Sequence, residues 1–269
     1  MIKTNFHTHT LYCDGKNTPA EMVQKAIEKG FYALGFSGHS FIEQDKLTTM
    51  SLFSQLKYCD EIKHLADTYS AQISLFCGIE QDSLSALPKI KYDYVIGSVH
   101  ALSKKGKYLP IDVSAQQTRA IIKDSYSRNK YNLIKEYYER VSQIVEITNC
   151  DVIGHFDLIT KFADELKIEE DDEYMEYAER AIDALVKCDK IFEVNTGAYA
   201  RANKTEPYPS KKLLKILKDK GAKIMVNSDC HDADLLDAGF DTAEKLLIEL
   251  GFKSRYELTL GGVKEIALV

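Results

Sequence analysis

Lys3-Thr4-Asn5-Phe6-His7-Thr8-His9 holds the key to the architecture. A short β-rich run ends in an H-x-H pair, and alternation along a strand sends residues i and i+2 to one side, so both imidazoles face a common point. Taken alone, the pair reads equally well as two hydrogen-bonded surface histidines. Moving outward, the same arrangement recurs. Further β-rich runs are predicted at Tyr32 to Ser37, Ile73 to Glu80, Tyr94 to Ser98, Val152 to His155, Ile191 to Asn195 and Lys223 to Asn227, with another at Tyr256 to Leu260. Their C-terminal ends carry His39, Glu80, His100, His155 and the tetrapeptide Ser228-Asp229-Cys230-His231. Six of the seven histidines thus occupy equivalent positions, which chance placement does not produce. The seventh, His64, falls within the helical pattern Glu61-Ile62-Lys63-His64-Leu65 and is expected to face solvent.

Amphipathic helical stretches fill most of the gaps between these runs. Thr18-Pro19-Ala20-Glu21 opens one: Thr18 caps, Pro19 suits the first helical position, and Glu21 completes a capping box. Pro209-Ser210 and Asp241-Thr242 read as two more helix starts. The alternation continues without a linker, which predicts one α/β domain over residues 1–269. About seven βα units suggest a closed or nearly closed parallel barrel, with a doubly wound open sheet as the alternative that periodicity leaves open. The polar strand ends favour the barrel, because there they converge on one face.

Composition narrows the function. With 45% hydrophobic and 28% charged residues in 269, the chain is expected to fold throughout around a sizeable core. Lys and Arg number 35 against 41 Asp and Glu, a formal charge of -6, which argues against nucleic-acid binding by bulk electrostatics. Lys211, Lys212, Lys215, Lys218 and Lys220 fall on an amphipathic pattern and read as a solvated helix face. There is no bilayer-spanning apolar run and no signal-peptide pattern, and the six cysteines are scattered singly. A cytoplasmic protein with free thiols and no membrane partner is expected.

Imidazole and carboxylate together suit Zn²⁺, Mn²⁺ or Fe²⁺, and this set exceeds what one tetrahedral ion would use. A multinuclear site is implied, and with it hydrolysis by a metal-activated hydroxide. At this point the motifs resemble a known family. His7-Thr8-His9-Thr10 with Asp14-Gly15, then Ser37-Gly38-His39, Gly78-Ile79-Glu80, Gly97-Ser98-Val99-His100, Gly154-His155-Phe156-Asp157 and Ser228-Asp229-Cys230-His231 are similar, in order, to those of the polymerase and histidinol phosphatase (PHP) superfamily. Glu193-Val194-Asn195-Thr196-Gly197, with Arg201 and Glu206-Pro207-Tyr208-Pro209-Ser210, resembles the segment of its histidinol-phosphatase branch.

The resemblance implies a distorted (β/α)7 TIM-like barrel with two to three divalent transition metals per chain. By position, His7, His9, Glu80 and Asp229 would hold one ion, with Glu80 bridging to a second bound also by His100 and His155. Asp14, His39 and His231 would hold a third. Many members have Asp where this chain has Gly38, which puts the third ion's occupancy in question.

Three divalent ions bring about +6 against about -3 from Asp14, Glu80 and Asp229, so the pocket is expected to attract a phosphomonoester dianion. Arg201 and Lys161 are candidate phosphate clamps and, with Glu80 and Asp229, the candidate catalytic residues. Cys13 and Cys230 read as small packing residues, and Asp112 as a loop acid near a possible lid. The leading reading is a metal-dependent histidinol-phosphatase of histidine biosynthesis, in which a metal-bridging hydroxide attacks phosphorus. Its alternatives are a PHP-type phosphatase or phosphodiesterase acting on nucleotides or phosphotyrosine and, from another class, a non-catalytic metal-stabilised binding module.

Overall fold

Parallel strands covered on both faces read as continuous apolar runs, and the strands here are buried along nearly their whole length. The computed structural model describes residues 1–200 and 204–268 in full, and Arg201 by its backbone. In chain order the strands are β1 (Thr4–Asn5), β2 (Ala33–Phe36), β3 (Ser74–Asp82), β4 (Tyr94–Ser98), β5 (Ala101–Lys104), β6 (Lys107–Pro110), β7 (Val152–Ile153), β8 (Ile191–Asn195), β9 (Lys223–Asn227), β10 (Ser254–Thr259) and β11 (Gly262–Ala267). Seven of them form one parallel sheet in the order β1-β2-β3-β4-β7-β8-β9.

The sheet curls until its first and last strands meet, giving a nearly closed barrel. The seam is held by a parallel bridge between Thr8 and Cys230, by the His9 amide donating to the Cys230 carbonyl at 2.9 Å, and by the Phe6 amide donating to Asn227 Oδ1 at 2.9 Å. Inside pack Phe6, Phe76, Tyr94, Ile96, Val152 and Met225. The Tyr94 ring fills the space beside two strand glycines: a Cβ at Gly78 would lie 2.3 Å from it, and one at Gly35 would lie 2.4 Å from its hydroxyl.

The helices cover the outside. Pro19–Glu28 carries the expected capping box: Thr18 Oγ1 accepts from the Glu21 amide, and Glu21 Oε2 accepts from the Thr18 amide. Ser210 caps Lys211–Asp219, whose lysines pair with acids on the solvent side. His64 is exposed on the helix Leu52–Tyr69. Among the described residues no helix is long and apolar enough to cross a membrane.

Three expectations need correction. The run near residue 256 is not a barrel strand: β10 pairs antiparallel with β11, and this hairpin closes the barrel's other end. Its Leu258 joins the interior cluster, and Glu257 accepts from Thr4 Oγ1 and from the Tyr32 hydroxyl. The helix expected from Asp241-Thr242 starts at Phe240, after Gly239 in a left-handed conformation (φ 78°). Finally, β1 and β7 are only two residues long, because the chain leaves the ladder early to turn His7 and His155 toward the site.

Candidate metal centre

The barrel brings the strand ends together around one carboxylate. Glu80 lies near the end of β3, 1% exposed, and five imidazoles reach it. His155 Nε2 and His100 Nε2 stand 2.8 and 3.2 Å from Oε1; His39 Nδ1, His7 Nε2 and His9 Nε2 stand 2.9, 3.3 and 3.5 Å from Oε2. Asp229 closes the seam side, its Oδ1 3.2 Å from His9 Nε2 and 3.6 Å from His7 Nε2. Asp14 reaches in from the loop after β1, its carboxylate 3.2 Å from His231 Nε2, 3.5 Å from His39 Nε2 and 3.6 Å from His9 Nδ1.

All nine residues proposed from sequence as ligands therefore converge. Three groups have ligand atoms close enough together to hold an ion: His7, His9 and Asp229; His39, Glu80 and His100; and His9, Asp14, His39 and His231. His155 meets Glu80 from the side of the second group.

The chemistry of the donor set fits divalent cations. His7 Nε2, His9 Nε2 and Glu80 Oε2 are buried with no hydrogen-bond partner, although such atoms are costly to leave unsatisfied. Burial opposes a charge on His7, yet the carboxylates of Glu193, Asp229 and Glu80 outweigh it and hold its pKa well above the ordinary imidazole value. His100 is likewise pushed up to about 10, burial being overcome by Glu80 and Asp82. His9 behaves oppositely: burial, then His231 and His39, lower it to about 3. Negative potential thus collects around lone pairs that point at one another, the environment in which a cation is favourable.

Two further carboxylates, neither among the nine candidate ligands, support the rings. Glu193, fully buried on β8, accepts from His7 Nδ1 at 2.6 Å, the His155 amide at 2.9 Å, and Asn195 Nδ2 and Asn227 Nδ2 at 3.0 Å each. Asp82 takes the His100 amide at 3.0 Å and lies 3.1 Å from His100 Nδ1. Each fixes a ring so that the other nitrogen faces the cluster. Both also add negative charge, so the cationic surplus expected from about +6 of metal is smaller than the sequence suggests.

At Gly38, a Cβ would lie 2.9 Å from Met50 Cε and 3.3 Å from Cys13 Sγ, so side chains fill the room an aspartate would need. Cys230 is buried at 2% exposure, while Cys13 comes within 3.5 Å of His9 Nδ1, closer to the site than a plain packing residue. Asp112, after the β5–β6 hairpin, is not a free loop acid. It lines the mouth with Asp14, His39 and His100 and pairs with Lys161 at 3.5 Å. Lys161 also borders a cavity of ≈ 630 Å³ walled by Asp157, Lys204, Glu170 and Glu206. Arg201 ends the short helix Gly197–Arg201 that follows β8, and its side chain lies outside the described residues.

Comparison with known proteins agrees with the fold. The PHP domain model matches residues 5–197. A Schizosaccharomyces pombe protein named "Probable histidinol-phosphatase" is 28% identical, the alignment covering 92% of this chain and 87% of that protein. The Bacillus subtilis "Histidinol-phosphatase" is 24% identical over 87% of this chain and 95% of its own length. Among solved structures, the histidinol phosphate phosphatase of Lactococcus lactis, complexed with zinc, L-histidinol and phosphate, superposes with a TM-score of 0.74. It covers 97% of this chain and 98% of its own, at 20% identity. With its barrel, its converging strand ends and the matched domain, the chain belongs to the PHP family.

Proposed function

We propose that this chain is a metal-dependent phosphomonoesterase that hydrolyses L-histidinol phosphate to L-histidinol and phosphate, a step of histidine biosynthesis. The observation that carries the hydrolase reading is Glu80: one buried carboxylate within 3.5 Å of five imidazole nitrogens is an arrangement that shared cations stabilise. The choice of substrate is supported by relatives of that name, which align with about nine-tenths of the chain.

In this reading His7, His9, Glu80 and Asp229 would hold one divalent transition metal, and Glu80, His100 and His155 would hold a second. Asp14, His39 and His231 would hold a third. When bound, such ions acidify water and neutralise phosphate oxygens. The protein's own contribution is orientation: Glu193 fixes the ring of His7 and Asp82 that of His100. Asp112 holds Lys161 at the rim, where its ammonium would meet a phosphate oxygen, and the role proposed for Arg201 is a bidentate fork to phosphate. The acids of the neighbouring cavity, Glu170 and Glu206 among them, suit the cationic amine of the leaving alcohol.

The test is kcat/KM of zinc- or manganese-loaded protein on L-histidinol phosphate against a panel of nucleotide and sugar phosphates and phosphotyrosine. A preference of about 100-fold or more for histidinol phosphate, ~2.7 kcal/mol in transition-state binding, is expected. A better nucleotide or phosphotyrosine substrate would overturn the assignment, and no turnover even of p-nitrophenyl phosphate would return the chain to a binding role.

A further inference from the structure

Six cysteines scattered singly along the chain give no hint of pairing, but folding brings two of them into contact. Cys59 sits on the helix Leu52–Tyr69 and Cys77 on β3, and their sulfurs are 3.2 Å apart. Neither is fully buried, so a small oxidant can reach them. The flanking backbone is pinned on both sides. The Tyr58 hydroxyl donates to the Gly78 carbonyl at 3.0 Å, and the Cys77 amide donates to Asp93 Oδ2 at 2.8 Å. A disulfide needs the sulfurs at about 2.05 Å, so they must close from 3.2 Å.

We propose that Cys59 and Cys77 are a modification site: a two-electron oxidant such as hydrogen peroxide converts them to a reversible intramolecular disulfide tying the helix to the strand that carries Glu80. The hydrogen bond from the Cys77 thiol lowers the pKa of Cys59, which marks Cys59 as the sulfur that reacts first. Its thiolate attacks one peroxide oxygen; an S–O bond forms, the O–O bond breaks and hydroxide leaves. Cys77 sulfur then attacks Cys59 sulfur; the S–S bond forms, the S–O bond breaks and a second hydroxide leaves. The two thiol protons convert both hydroxides to water, so the dithiol is oxidised and the peroxide reduced. Of the other four thiols, Cys150 and Cys230 are buried, Cys188 is exposed on another element, and Cys13 is half-buried beside His9.

The experiment is peroxide titration of the zinc-loaded full chain, followed by alkylation and peptide mapping without reductant. The peptides carrying Cys59 and Cys77 should appear linked, two of the six free thiols should be lost, and dithiothreitol should restore both. In Cys77→Ser the link should vanish and a sulfenic acid at Cys59 should be trapped by dimedone; trapping needs no stability beyond a folded chain. The proposal is overturned if Cys59 and Cys77 remain alkylatable at peroxide levels that oxidise exposed Cys188. It is equally overturned if the linked peptides form only in denatured protein.

Discussion

Removing charge from Glu80 and removing it from Glu193 should have different consequences, because the two carboxylates meet the histidines differently. Glu80 faces five imidazole nitrogens at once, so Glu80→Gln should abolish most turnover and lower metal content, read by elemental analysis. Glu193 accepts four donors, and a Gln there must turn an NH₂ toward one of them. Glu193→Gln should therefore weaken metal affinity or activity by about 10–100-fold while the ligands remain. Arg201→Ala should lower kcat/KM by about 10²–10³ with metal content unchanged, and Arg201→Lys should recover only part of the loss. Unchanged kcat/KM in the alanine variant would leave Lys161 as the sole clamp. The convergence of the candidate ligands was legible because their residue types recur at strand ends. Glu193 was less so, although one clue existed: a carboxylate inside the otherwise apolar run Ile191-Phe192-Glu193-Val194 cannot be buried without a purpose.

Among the elements, the β10–β11 hairpin rests on a buried ion pair. Arg255 and Glu257 are 5% and 2% exposed and hydrogen-bonded to each other, and Glu257 also anchors Thr4 and Tyr32 of the barrel. Glu257→Ala leaves the guanidinium buried without its counter-charge and should cost about 3–5 kcal/mol in urea unfolding. Replacing both residues by apolar ones of similar volume should cost much less. Position along the chain could not reveal this hairpin's place, since an alternating run reads the same in a barrel as in a separate ribbon. Likewise the two-residue β1 and β7 were expected to be longer, because the pattern marks where apolar side chains lie and not where the ladder hydrogen bonds stop.

For the whole molecule, the centre should act as a cross-brace. His7 and His9 come from the start of the chain, Glu80 and His100 from its first half, and Asp229 and His231 from near its end. Chelation should lower the melting temperature, and added zinc should restore it. At a metal concentration about 100 times Kd, one ion alone contributes about 2.7 kcal/mol. A melting temperature indifferent to chelator would mean the ligands are held by packing alone. The barrel and the convergence of the candidate ligands were readable in the sequence because polar residues recur at the ends of its strands. Contacts such as Cys59 with Cys77, or Met50 with the face of Gly38, arise only where separate elements pack, and no local pattern records them. The seam adds a consequence for the order of events during synthesis. Phe6 and Asn227 are 221 positions apart, and no regular ladder joins their strands. Such a distant closure is slow, so a chain emerging from the ribosome carries His7 and His9 exposed until residues 227–231 are made. Metal capture by the groups that include Asp229 and His231 is then a report that β9 has docked, and a chain truncated before Lys223 should stay unclosed however much zinc is supplied.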